Sequence, residues 1–198
     1  MTSDKSQTIT PIQEQDICDA INLVLAENQK VLTKVKLHHL TQLSQLILDR
    51  DRIFIAGEGR SGLAIQMTAM RLMHLGLEVH VVGEVTAPSI ESRDLLIVCS
   101  GSGSTHGAVD VARTAKKIGA KIVTITTQKE SALGNLADLV IQLDAATKKE
   151  ISNSSSKQFA GSLFEQSTLL LFDALFYVLA HHLHQSNAVL MSRHTNLE

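Results

Sequence analysis

A chain of 198 residues, 44% of them hydrophobic and 19% charged, carries enough apolar side chain for one complete core, which excludes a disordered or fibrous polypeptide. Its net charge of −2 is spread without basic runs, so electrostatic attraction to nucleic acid or an anionic membrane is excluded as the main binding force. Cys18 and Cys99 are isolated and form no CxxC pair, so neither a zinc knuckle nor a disulfide framework is signalled, and a reducing cytoplasmic setting is expected.

Residues 1–11 are polar and lack the charged and apolar regions of a secretory signal. Within 14–49, Ile17, Ile21, Val24 and Leu25, then Val35, Leu40, Leu43, Leu46 and Ile47, recur at helical spacing and predict two helices. Short β-branched and aliphatic runs at 52–56, 78–82, 95–99, 121–126 and 139–143 predict five strands. Helical patterns at 61–75, 105–118 and, more briefly, 131–136 alternate with them. Such alternation predicts an α/β fold, a parallel sheet covered on both faces, in a single domain without repeats. Residues 144–158 are rich in Lys and Ser without periodicity and predict a long loop, a frequent carrier of function.

A long apolar helix follows over 162–184, its run LLLFDALFYVLA at 169–180 broken only by Asp173, and then a short tail. A helix apolar nearly all round must be buried on most sides, and a sheet covers one, so a homo-oligomer is expected. Its most apolar part, 169–180, is shorter than the ~20 residues of a bilayer span, and no membrane association is expected.

Two turns rich in Gly and Ser, GEGRSG at 57–62 and SGSGST at 100–105, each follow a predicted strand and open a predicted helix. Turns of this kind aim backbone N–H groups at an anion. With strand order 2-1-3-4-5, strands 1 and 3 are neighbours, so both turns would line one phosphate site. In the first, Gly59 permits a tight turn and Ser61 caps or opens the helix. In the second, Ser100, Ser102, Ser104 and Thr105 supply four hydroxyls, while Gly101 and Gly103 admit close approach of an oxyanion. That donor set matches a phosphomonoester. No GxxxxGK[ST] string occurs, which disfavours a nucleoside triphosphate, and only Glu84, beyond the second strand, could hold the ribose of a dinucleotide.

Further along, Ser162-Leu163-Phe164-Glu165 has the pattern of a capping box, in which Glu165 would reach back to the Ser162 N–H. Arg71 and His74 share one helix face and fit a solvated or core-satisfying pair, or a subunit contact. Met67, Met70 and Met73 read as a core stripe. His181, His182 and His184 complement the dipole at a helix end rather than bind metal. His194 fits a surface histidine on a frayed terminus.

The string GRSGLAIQMTAMRLMHLGLEVHVVGE from residue 59, then SGSGST, GSLFEQ from 161 and the terminal RHTNLE resemble the 6-phospho-3-hexuloisomerase family of the sugar isomerase (SIS) domain superfamily. The likeness runs from 53 to 198 in order and spacing. It implies a flavodoxin-like single SIS domain, a five-stranded parallel sheet of order 2-1-3-4-5 flanked by helices, usually tetrameric. The activity implied is interconversion of D-arabino-hex-3-ulose 6-phosphate and fructose 6-phosphate, without metal or organic cofactor, on a small-molecule sugar phosphate supplied by a hexulose-phosphate synthase. The resemblance assigns Glu165 as catalytic base and His194 as a second catalytic group, acting in its own or a neighbouring subunit. It places phosphate on Gly59, Arg60, Ser61 and Ser100, Gly101, Ser102, Gly103, Ser104 and Thr105. A sugar-phosphate sensor without turnover, or an isomerase of another phosphosugar, is the alternative.

This chain departs from that pattern at Glu58, where GAGRSG is usual, at Ser104, where GSGET is common, and at Phe159-Ala160, where a proline and an aliphatic residue are usual. A carboxylate at 58 would repel phosphate unless turned toward Arg60 or solvent. Loss of the proline is expected to loosen the loop before Glu165.

Overall fold

β-branched and aliphatic residues that alternate between two buried faces build five strands: β1 (Ile53–Gly57), β2 (Val79–Val81), β3 (Leu95–Cys99), β4 (Lys121–Thr126) and β5 (Leu139–Gln142). In this computed structural model, which describes residues 11–145 and 156–197, they pair in parallel in the order β2-β1-β3-β4-β5. The expected order and the five strands are therefore present, β2 being shorter than its apolar run.

Ile53, Ile55, Leu95, Ile97, Val123, Ile125 and Ile141 face one side of the sheet, where α1 (Glu14–Leu32), α2 (Leu37–Asp49), α3 (Gly59–His74) and α6 (Ser162–His182) bury their apolar residues. Phe54, Ala56, Leu96, Val98 and Ile122 face the other, under α4 (His106–Ile118) and α5 (Ala132–Leu136). Both faces are covered, as parallel strands require. At the sheet's N-terminal edge Arg52 clamps the buried Asp94 through two hydrogen bonds, of 3.1 and 2.8 Å, fixing β1 beside β3.

The two helices expected before the sheet are present, and two local expectations need correction, at the α3 methionines and at the end of the last long helix. Met67, Met70 and Met73 are not core residues; they are 52%, 53% and 38% exposed, because α3 turns Ile65, Thr68, Ala69 and Leu72 inward. The α1 residues Ile17, Ile21 and Leu25 are likewise exposed, and the buried residues of α1 are Asn28 and Val31. The last long helix stops at His182, since His184 takes a left-handed φ of 52°, and a short α7 (Asn187–Ser192) follows that the pattern did not announce. The long loop expected over 144–158 lies largely outside the described residues. α6, at 21 residues, is long and apolar enough by itself to cross a bilayer, yet Leu163, Phe164, Leu171, Phe172, Leu175 and Leu179 are buried in the core.

The attachment of α1 to α6 is polar. The Asn28 side chain donates to Gln166 Oε1 at 2.7 Å and to Val24 O at 2.9 Å, and its oxygen accepts from the Ser167 hydroxyl at 2.9 Å. Asn28 is 4% exposed and Ser167 fully buried, so these bonds are made where water cannot replace them. Asn28→Ala is expected to lower unfolding free energy by about 2 kcal/mol in urea titrations, because a buried hydroxyl and amide lose their partner. An unchanged midpoint and slope would refute this role.

Candidate active site

In a parallel sheet the loops leaving the C-terminal strand ends gather on one edge, and the register pairs Gly57 with Cys99, the last residues of β1 and β3. The two Gly- and Ser-rich turns are therefore side by side. The first is shaped by close approach: a Cβ on Gly62 would stand 2.6 Å from the Gly57 carbonyl oxygen, so α3 starts directly against β1. Ser61, in the first turn of α3, is 4% exposed and its hydroxyl has no hydrogen-bond partner among the described residues.

The second turn is held from below. The Gly101 carbonyl accepts from the Thr127 N–H at 3.0 Å and from the hydroxyls of Thr127 and Thr126 at 2.8 and 3.1 Å. Gly103 has φ +61°, and a Cβ there would collide with the Ser131 side chain. Above these anchors Ser100 and Thr105 share a hydroxyl bond of 2.8 Å, and Ser102 Oγ accepts from Ser104 N and Oγ. Thr126 and Thr127 went unnoticed in the sequence, where a strand ending TITT reads only as β-propensity.

α3 and α4 begin at Glu58 and Thr105, and neither N-cap side chain bonds its own helix, whereas the Ser131 and Ser186 caps of α5 and α7 do. The two long helices thus leave their N-terminal N–H groups open at the same edge, which suits an anion.

α6 brings a carboxylate to that edge. Its N-cap is Gly161, so Ser162 is already inside the helix and the capping box does not form. The Glu165 N–H donates to Gly161 O, and the Glu165 carboxylate accepts from Arg60 Nε at 2.5 Å. Glu165 is 4% exposed and the Arg60 side chain 66%, so a buried anion is met by a cation at the rim. Phe164, 1% exposed, packs its ring 3.3 Å from where a Gly101 Cβ would stand, which presses α6 onto the second turn. Gly59, Arg60, Ser61, residues 100–105 and Glu165 are thereby brought together.

The segment before α6 is anchored rather than loosened by its missing proline. Glu27 of α1 accepts from Ser156 Oγ at 2.7 Å, Lys157 N at 2.9 Å and Gln158 Nε2 at 3.0 Å. Burial works against the Glu27 charge, but the bonds from Lys157, Ser156 and Gln158 and the Lys157 charge outweigh it and hold this carboxyl below its ordinary value. Beyond the anchor, Ala160 adopts φ +51°, a left-handed turn that delivers the chain to Gly161.

The family model for the SIS domain matches residues 46–171, which takes in the sheet, both turns and the first half of α6. The chain belongs to the SIS domain family. It is 45% identical over 183 residues to the 3-hexulose-6-phosphate isomerase of Mycobacterium gastri, covering 92% of each chain. To the protein of the same name from Bacillus subtilis it is 41% identical over 159 residues, covering 79% of this chain and 85% of that one. The crystal structure of a hypothetical protein of Methanococcus jannaschii, whose authors infer a 3-hexulose-6-phosphate isomerase function, superposes with a TM-score of 0.79 at 33% identity, covering 91% of this chain and 99% of that one.

In this SIS domain His194 lies away from Glu165. Its Nδ1 meets His74 Nε2 at 3.0 Å, and Arg193 donates to His74 O at 2.8 Å and to Gln185 Oε1 at 3.0 Å. His74 ends α3, so the 16-residue helix separates it from Arg60 by about 20 Å. Arg71, expected to act with His74, instead turns to α6, 4.0 Å from Asp173 and over the Phe176 ring. Among the described residues no group of three or more His, Cys, Asp or Glu gathers as a metal would need.

His74 is 4% exposed, and burial first, then the charges of His194 and Arg71, push its pKa below the ordinary 6.5. The docked state therefore favours neutral His74, while the undocked or unfolded chain takes up its proton from about pH 6.5 downward. Stability from this contact is present above that pH and is lost as pH falls below it. With exchange rates divided by their intrinsic pH-dependent values, amide protection in residues 186–197 is expected to fall between about pH 7.5 and about pH 5.5 in the wild type and to stay level in His74→Phe.

Proposed function

We propose that this SIS domain is a 3-hexulose-6-phosphate isomerase, converting D-arabino-hex-3-ulose 6-phosphate into D-fructose 6-phosphate. The observation that carries this reading is the buried Glu165 carboxylate, held by Arg60 at the edge where the open ends of α3 and α4 meet. The named relatives, at 45% and 41% identity, support the same reaction.

The phosphate ester sits on the 100–105 turn and the first turn of α3, with Ser61, Ser100, Ser102, Ser104 and Thr105 as donors. Glu165 takes the C2 proton, the electron pair forms the C2–C3 double bond, and the C3 oxygen gains a proton to give the enediol. Loss of the O2 proton and protonation at C3 then complete the move of the carbonyl from C3 to C2. Substrate and product have the same oxidation level, so the step needs no external oxidant. Ring opening needs no dedicated acid either, since O6 carries phosphate and attack by O5 on C3 would close a four-membered ring. Arg60 orients the base and offers a cation to the developing enediol oxygen.

His194 would tend the enediol oxygens of a neighbouring subunit's site, since about 20 Å of its own α3 lies between it and Arg60. A homotetramer would also cover the apolar residues left open on α1, α3 and α6, among them Ile17, Ile21, Met67, Met70 and Tyr177. Cys18 and Cys99, which form no disulfide, fit a reducing cytoplasm. A hexulose-phosphate synthase condensing formaldehyde with ribulose 5-phosphate would supply the substrate.

Incubation with hex-3-ulose 6-phosphate in deuterated water is expected to give fructose 6-phosphate labelled at C3. No product would leave a sugar-phosphate sensor, and unlabelled product would mean that the C2 hydrogen reaches C3 without exchange, carried by Glu165 itself or by a hydride shift. Glu165→Gln keeps an acceptor for Arg60 but not a base, and kcat is expected to fall by about 10²–10⁴. A near-normal kcat would remove Glu165 from the chemistry.

A further inference from the structure

The turn between β1 and α3 carries a carboxylate that the isomerase mechanism does not use. Glu58 is the N-cap of α3; its carbonyl accepts from the Gly62 N–H at 3.1 Å, but its side chain does not cap that helix. It crosses to α4 instead. A Cβ built on Gly107, in the first turn of α4, would collide with Glu58 Oε1 and stand 3.5 Å from Glu58 Cδ. The missing side chain at 107 is what admits the carboxylate there. Thr105, the N-cap of α4, spends its hydroxyl on Ser100, so the carboxylate that lies against the first turn of α4 is that of Glu58.

No cation neutralises Glu58 among the described residues. Arg60, two residues on, is engaged by Glu165, and His106 lies 3.5 Å from Asp110. Glu58 is exposed, so it can swing into water without losing a buried contact.

We propose that Glu58 is a tethered competitor for the phosphate seat. Its carboxylate occupies the α4 end of the site in the empty protein, leaves when a phosphate ester arrives, and so sets the affinity for that ester. The proposal rests on the sugar-phosphate reading of this edge. Two anions cannot share one helix N-terminus without repulsion, and the incoming phosphate must replace the attraction that the carboxylate already enjoys. Because the exposed carboxylate is well solvated once displaced, the cost is a few-fold in affinity rather than a block. A moderated grip on the phosphate, common to substrate and product, also favours turnover by easing product release.

The test uses the full chain and inorganic phosphate as probe, by titration calorimetry at low and high salt. Glu58→Ala and Glu58→Gln are both expected to bind phosphate about five-fold more tightly than the wild type, with the gain shrinking as salt screens the charge. Equal or weaker binding by both variants would overturn the proposal. Tighter binding by the alanine variant alone would also overturn it, since crowding and not charge would then be relieved. Thr105→Val serves as the control for the seat itself. Undiminished phosphate binding there would sink the sugar-phosphate reading, and this inference with it; loss of binding there, with both Glu58 variants at the wild-type value, would sink this inference alone. Thermal midpoints in phosphate-free buffer establish that each variant is folded.

Discussion

A carboxylate taken out of water must be met by charge and hydrogen bonds, and the pairing of Glu165 with Arg60 is how this chain meets that demand. The two partners are 105 residues apart, one at the start of α3 and one at the start of α6. Their contact therefore ties the beginning of the sheet to the last long helix. Because α3 and α6 then run side by side on the same face, the pair also sets their register, with Arg71 and Asp173 meeting further down. The chemistry at the edge and the packing of the core are one arrangement seen at two depths.

Much of the fold was legible in the sequence because it rests on local patterns. Five β-branched runs, each followed by a polar or glycine-rich turn, leave little choice but a parallel sheet. The helices were harder to orient. Periodicity places Met67, Met70 and Met73, or Ile17 and Ile21, on one face, but it does not tell whether that face meets the sheet. On α3, small residues won the inward side because Gly62 and Ala64 allow the helix close to β1, and the methionines were left outward.

At the site, the two phosphate-type turns could be found from their glycines and hydroxyls, but their supports could not. Thr126 and Thr127 hold Gly101 from a neighbouring strand, and Glu27 and Asn28 hold the approach to α6 from the opposite end of the chain. Such contacts depend on tertiary proximity, which single-sequence spacing does not encode. Asn28 did leave a trace, as a polar residue falling on the apolar spacing of Ile21, Val24 and Leu25. The capping pattern at 162–165 misled for a physical reason: Gly161 takes the boundary position, so the helix begins one residue early and Glu165 is released for Arg60.

The left-handed Ala160 gives this arrangement a cost. An L-residue with a Cβ gives up about 1–2 kcal/mol in that conformation, and here it does so within five residues of the buried carboxylate. The turn persists because the Glu27 hydrogen bonds on one side and the core burial of Phe164 on the other leave the chain no relaxed route between them. The approach to Glu165 thus passes through a kink at a single residue, and a change on α1, with no contact to any sugar, reaches the base by letting that kink unwind.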